Sequence, residues 1–274
     1  MSSLKSLSLN KLKQLRKLQQ KKYRAQTNCF LCEGFRLFDA AFKSKRVIIR
    51  EIVLSKNFLN TKRGKIVIQY AQKKEINIYT SDDVQIKKIS EEVTPPGIIF
   101  VVEKDQKRPS SLTDVQESIL LYLDRISEPG NLGSILRSAC WFGVKSILLS
   151  PECVDPWNSK SIRSSAGTIF EADIYTDLKF DSVQKIFKQK GYQFIATVVS
   201  GGISLAQWAR PKKSIILIGE EAGGLSKEIV KHADGHINIA GHGIIESLNI
   251  SVATGIILYE ATKPEFKGLS KKGF

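Results

Sequence analysis

The run Ile119-Leu120-Leu121-Tyr122-Leu123, followed shortly by Glu128-Pro129-Gly130-Asn131-Leu132-Gly133-Ser134-Ile135-Leu136-Arg137, reads as an apolar strand, a Pro-Gly turn and the start of a helix. The same unit then repeats down the chain. Helix 132–142 leads to strand 146–149, a helix near 181–188 to strand 193–199, and strand 214–218 to a helix after Leu225. Strand 236–240 and a closing helix over 247–259 complete the series. Continuous apolar strands alternating with helices predict an α/β fold whose parallel sheet is covered on both faces. Ligands of such sheets bind beyond the carboxyl ends of the strands, so the loops there are the places to look for chemistry.

Upstream the pattern changes. Residues 4–24 space Leu9, Leu12, Leu15 and Leu18 three apart among lysines and arginines, which predicts one basic amphipathic helix. Segments 29–31, 47–54, 65–70, 76–80 and 98–102 read as short strands of a small α/β domain. The polar stretch 103–113, with Pro109, Ser110 and Ser111, reads as the linker, giving domains 1–106 and 107–274.

Charge follows the same division. Of 274 residues, 42 are Lys or Arg and 27 are Asp or Glu; residues 1–110 hold 24 basic and 10 acidic side chains, against 18 and 17 in residues 111–274. A basic module joined to a near-neutral one suits a nucleic-acid-binding domain tethered to a catalytic one. The cations are spread along the first half instead of forming one membrane anchor, and an organellar transit peptide is disfavoured because its cations are mostly lysine. Four cysteines form no disulfide framework, and no long apolar run of membrane-spanning length appears, so a reducing cytoplasmic setting is expected. Cys29 and Cys32 lack a second pair, and Gly235 interrupts His232 and His236, so no metal site is expected. Trp157 reads as a packed ring in preference to a base-stacking platform.

Three strand-end loops carry the functional candidates. In the first, Asn131 reads as a helix cap, with Arg137 less than two turns beyond it. The second, Gly219-Glu220-Glu221-Ala222-Gly223-Gly224-Leu225, has glycines for close backbone approach but neither a phosphate-loop lysine nor a dinucleotide fingerprint. The third, Glu246-Ser247-Leu248-Asn249-Ile250-Ser251, places Ser247 as the cap of a helix whose Leu248, Val252, Ile256 and Tyr259 face inward.

These loops, in this order, resemble those of the SpoU-type (TrmH-like) RNA 2'-O-ribose methyltransferases of the SPOUT class. The resemblance rests on Pro129, Asn131, Gly133 and Arg137, on Gly219, Glu221, Gly224 and Leu225, on Ser247, Leu248 and Asn249, and on the run from Asn158 to Gly167. It extends forward through Lys21-Lys22-Tyr23-Arg24 and Phe30-Leu31-Cys32-Glu33-Gly34, which are similar to the family's ribosomal-protein-like RNA-binding domain. It departs where Ala240 and Gly241, not Pro-Met, follow Ile239, and where Glu128 stands in place of aspartate.

The resemblance implies a trefoil knot in the second domain, S-adenosylmethionine as cofactor and a homodimer through that domain. Its catalytic residues would be Arg137, Asn131, Glu221, Ser247 and Asn249, and Thr197, Gly219, Ile239 and Leu248 would hold the cofactor. RNA, not DNA or a membrane, would be the partner. Large-subunit (23S) rRNA comes first and tRNA second, and a non-catalytic RNA-binding protein that keeps the fold is the alternative.

Overall fold

The computed structural model describes residues 4–104 and 111–263, which form two compact units: 4–104 with 155–171, and 111–154 with 172–263. The expected boundary at 106/107, and most of the linker around it, lie outside the described residues.

The first unit runs β1 (Leu4–Ser6), α1 (Leu9–Lys17), α2 (Lys21–Thr27), β2 (Cys29–Glu33), α3 (Phe35–Lys43), β3 (Val47–Ser55), α4 (Lys56–Leu59), α5 (Lys62–Lys73), β4 (Asn77–Ser81), α6 (Asp83–Ile89) and β5 (Ile98–Lys104). Its sheet is mixed, in the order β1-β4-β3-β5-β2, with β5 antiparallel to both neighbours.

Two sequence expectations fail here. The single helix over 4–24 is instead a short strand and two helices. Leu7 donates its N–H to Thr80 O as β1 pairs with β4, Ser8 then caps α1 by accepting from Lys11 N, and the chain turns again at Leu18–Gln20. Residues 65–70, read as a strand from Ile66, Val67 and Ile68, lie inside α5. Thr61 caps that helix, and burial of Gly64, Val67 and Ala71 with Ile66 exposed follows a helical period. Burial overrides the weak preference of β-branched residues.

The second unit contains β6 (Ile119–Leu123), α7 (Pro129–Trp141) and β7 (Ser146–Leu149). After α8 (Ser159–Ser164), which belongs to the first unit, come β8 (Asp173–Tyr175), α9 (Phe180–Gln189), β9 (Gln193–Thr197), β10 (Ile203–Ser204), β11 (Ser214–Ile218), α10 (Lys227–His232), β12 (Gly235–Asn238) and α11 (Ile250–Thr262). Its seven strands are all parallel, in the order β10-β12-β9-β11-β6-β7-β8. Every residue of β6, β7 and β11 is buried, as a sheet covered on both faces requires. From β6 the chain steps to β7 and β8 on one side, then crosses to β9 on the other. The order therefore reverses between β6 and β11, and ligands of such sheets bind beyond the carboxyl ends at this switch point.

Although it lies in the second half of the sequence, segment 155–171 packs with the first unit. Asp155 pairs with Arg24, Trp157 lies 4.9 Å from Phe30 ring to ring, and Arg163 pairs with Glu92. Trp157 is thus packed and only 7% exposed.

Candidate functional site

Helix α7 begins earlier than its sequence suggests. Glu128 is the cap, its carboxylate accepting from Gly130 N at 3.3 Å, and Pro129 takes the first helical position, where its missing N–H costs nothing. Asn131 is therefore no cap. Its amide is free to donate to Glu221 Oε1, and its Oδ1 accepts from Asn249 Nδ2 at 3.1 Å. One residue from each candidate loop joins this chain of bonds.

The third loop is corrected in the same way. Ser247 does not cap the closing helix; Asn249 does, its Oδ1 accepting from Ser251 N at 2.9 Å and Val252 N at 3.4 Å. Both faces of the Asn249 amide are then committed, one to α11 and the other to Asn131. Ser247 is exposed and makes no hydrogen bond to the described residues. Arg137 stands six residues beyond Asn131, about 9 Å along the axis of α7. It is exposed and unpaired among the described residues, so its donors are uncommitted. The stripe expected to face inward on α11 does not: Leu248, Val252, Ile256 and Tyr259 are exposed, while Thr254, Ile257, Leu258 and Ala261 are buried.

The cofactor candidates fall on neighbouring strand ends. In the register of β12, β9 and β11, Ile237 is level with Thr197, and Ala196 with Leu217. Ile239 and Gly219 each lie two residues past those partners. Adjacent strands are about 4.8 Å apart, so the three positions fall along a strip roughly 10 Å wide. Thr197 spends its hydroxyl on Leu217 O at 2.8 Å, leaving mainly backbone to face a ligand. A β-carbon at Gly219 would lie 2.1 Å from Gly224 C and Leu225 N, so only glycine allows the loop to fold back this tightly. Strand ends that offer mainly backbone suit a flat, largely apolar ligand with a few polar edges.

Sequence reasoning missed the clamp that holds this loop. Asp124 Oδ2 accepts from Ser226 N at 3.2 Å; Arg125 Nη2 donates to Gly224 O at 3.1 Å and pairs with Glu220 Oε1 at 3.1 Å. Arg125 holds a left-handed φ of 58°, a costly conformation for a side-chain-bearing residue. Burial pushes the Asp124 carboxyl above the ordinary aspartate range, against the Ser226 hydrogen bond and the Arg125 charge, which lower it. The signal was present in the sequence, since an Asp-Arg pair directly follows a strand with no polar residue to spare.

The other candidate clusters are occupied locally. His232 Nδ1 and His236 Nε2 face the carbonyls of Glu228 and Val230, and no group of three His, Cys, Asp or Glu among the described residues is placed to hold a metal. Cys32 is buried in the first core, and burial raises its thiol pKa.

A parallel sheet whose strand-end loops are joined by polar side chains, together with a basic first unit, fits an enzyme that acts on a polyanion. More particularly, residues 118–259 match the SpoU rRNA Methylase family and residues 10–99 match the MRM3-like substrate binding domain; the chain belongs to the SpoU family. It is 26% identical to the 23S rRNA (guanosine(2553)-2'-O)-methyltransferase RlmP of Bacillus subtilis, over 94% of this chain and 98% of the relative. To a tRNA/rRNA methyltransferase of Synechocystis it is 29% identical, over 93% and 91% of the two chains. The AdoMet-bound rRNA methyltransferase of Sinorhizobium meliloti superposes with a TM-score of 0.80 at 28% identity, covering 97% and 98%. The protein is accordingly an RNA 2'-O-methyltransferase that uses S-adenosylmethionine.

Proposed function

We propose that the protein methylates a ribose 2'-hydroxyl in large-subunit rRNA. The observation that carries ribose methylation is the bonded chain Glu221–Asn131–Asn249 at the switch point of the sheet, with the unpaired Arg137 on the same helix as Asn131, and similarity to the 23S rRNA enzyme RlmP supports the choice of RNA. S-adenosylmethionine supplies an activated methyl group, so the residues must align the attacking oxygen and relieve it of its proton. In this reading the backbone at Gly219, Ile239 and Leu248, with Thr197 beside them, holds the adenosine. The knotted path that the family resemblance implies brings these loops together.

A guanidinium has five donors and no acceptor, so Arg137 does not itself take the proton. Either it fixes the adjoining phosphate through its planar fork while that phosphate takes part in removing the proton, or it positions the ribose oxygen directly. Asn131 and Glu221 hold the approach, and Ser247 and Asn249 complete the polar wall. The exposed stripe of Val252, Ile256 and Tyr259 on α11, with Trp141 of α7 69% exposed nearby in the fold, is the apolar and aromatic surface on which a second copy would pack.

The test is incubation with labelled S-adenosylmethionine and rRNA from cells lacking the gene, followed by mapping of the label. Label on a ribose of large-subunit rRNA is expected. Label on a base overturns the reaction type, and label on tRNA alone overturns the substrate.

A further inference from the structure

The depression at the end of α1 combines three features. It encloses about 230 Å³ and is lined by Lys13, Arg16, Lys17, Gln19 and Gln20, with no carboxylate. Lys13, Arg16 and Lys17 stand at i, i+3 and i+4, which places them on one face of the helix while Leu12, Leu15 and Leu18 are buried on the other. Finally, the chain has no acidic residue before Glu33, and the carboxylate at this turn, Asp155, is taken up by Arg24.

A helix C-terminus ordinarily repels an anion, because its last carbonyls are unpaired and its dipole is negative there. Here Arg24 lessens that by occupying two carbonyls of the turn. Only 6% exposed, it donates through Nη1 to Leu18 O at 2.9 Å and Gln19 O at 2.6 Å, and its other edge grips Asp155 Oδ2 from Nε at 2.9 Å and Nη2 at 2.5 Å. The exposed carbonyls are thus occupied by a buried cation that also rigidifies the turn. Gln19 Nε2 donates to Ile89 O at 2.8 Å, and the Lys17 ammonium sits 5.3 Å from the Tyr23 ring centre, so the rim is partly ordered before any ligand arrives. Elsewhere in this unit several cations are already engaged, as in Lys11–Glu51, Lys43–Asp39 and Arg50–Glu103.

We propose that this depression is a dedicated site for a backbone phosphate of the RNA substrate, which fixes the register of the RNA on the first unit. The proposal rests on the reading that the enzyme acts on RNA. It goes further in assigning much of the affinity to three side chains and a buried arginine, instead of to the diffuse charge of residues 1–110.

The experiment compares two full-length triple variants of equal charge. One is Lys13→Gln, Arg16→Gln, Lys17→Gln; the other is Lys65→Gln, Lys73→Gln, Lys74→Gln, three exposed cations at α5 and its end. Binding to a large-subunit rRNA transcript is measured across salt concentrations, with circular dichroism confirming the fold. The first triple is expected to weaken binding about 10-fold near 0.15 M salt and to reduce the slope of log K against log salt by about 1, the change that loss of one phosphate contact implies. The second should cost less than about threefold. A third variant, Lys13→Arg with Lys17→Arg, should bind as the native chain does. Equal losses from the two triples, or no loss from the first, overturn the site while leaving methyl transfer by the native chain intact. A native chain that binds no RNA and transfers no methyl group overturns both the site and the functional reading beneath it.

Discussion

The loop after β11 and the loop after β12 leave the same edge of one parallel sheet, yet they are built in opposite ways. Residues 219–226 are pinned by the Glu220–Gly224 bridge, by Asp124 on Ser226 N and by Arg125 on Gly224 O. Residues 240–249 are exposed throughout, with Ile244 91% and Ile245 67% exposed, and only Asn249 is tied back. One wall of the site is finished before substrate arrives. The other offers apolar side chains to water that a bound nucleoside or a second chain would cover. Binding energy is then available on the open side, and preorganisation sits on the closed side next to Glu221 and Asn131.

The largest effect should fall on the residue that belongs to neither wall. Arg137→Ala is expected to lower single-turnover kcat by about 10³-fold with little change in cofactor affinity, as when a donor that acts only in the transition state is lost. Arg137→Lys keeps the charge but loses the planar fork, and should be nearly as damaging. Rapid-quench methyl transfer checks both. A near-normal rate for the lysine variant would mean that a point charge suffices.

Gly219→Ala tests the closed wall directly. Its β-carbon would enter the Gly224–Leu225 backbone, and backbone cannot rotate away as a flexible side chain can. The expected cost is about 2–3 kcal/mol, a fall in Tm on the order of 5–10 °C, with cofactor binding by calorimetry weakened alongside. Leu248→Ala on the open wall is the contrast, since removing an exposed side chain should leave Tm within about 1 °C while weakening cofactor binding severalfold. If the two variants behaved alike, the distinction between the walls would fail.

The clamp itself should give a smaller change whose size depends on the replacement. Arg125→Ala removes the bond to Gly224 O and the partly exposed Glu220 pair but keeps the left-handed backbone, for a loss of about 1–2 kcal/mol. Arg125→Gly also loses the clamp but relieves about 1 kcal/mol of backbone strain, so its Tm should exceed that of the alanine variant. Chemical denaturation of the two side by side reads the difference.

The fold of the second unit was legible because its strands are continuous apolar runs and its loops begin at glycine, proline and polar residues. The three candidate loops could be placed from that pattern alone. Helix starts misled, since Asn131 and Ser247 have the chemistry of caps, whereas the structure gives that task to Glu128 and Asn249 and leaves Asn131 to bridge two loops. Local propensity cannot tell which of two suitable residues a tertiary contact will claim. The α11 stripe misled for a related reason: period 3.6 marks a face but does not say which face the sheet covers. Ile257, Leu258 and Ala261 took the buried side, and the equally apolar Val252, Ile256 and Tyr259 were left outside. In the first unit, the basic helix read over 4–24 broke because Leu7 is claimed by β4 and Arg24 by Asp155, both long-range contacts invisible to a window of neighbours.

The smallest predicted effect isolates the clamp's other half by titration. Asp124 is 5% exposed, and burial raises its carboxyl pKa above the unfolded value, so the folded chain binds its proton more tightly than the unfolded chain does. The sign follows from linkage. Where the folded state holds more protons, stability falls as pH rises, here across the window between the ordinary aspartate value and the raised folded one, and above that window the loss is complete. Asp124→Asn removes the titration and can still accept from Ser226 N through its amide oxygen. The variant should therefore match the native chain's stability at the acid end of the window and equal or slightly exceed it, by less than about 1 kcal/mol, at neutral pH. Urea midpoints measured from pH 4 to 7 give the slope for each chain. If the native chain instead gained stability from this carboxylate as pH rose, the Ser226 and Arg125 contacts would outweigh burial, and the closed wall would be held by charge, not by close packing.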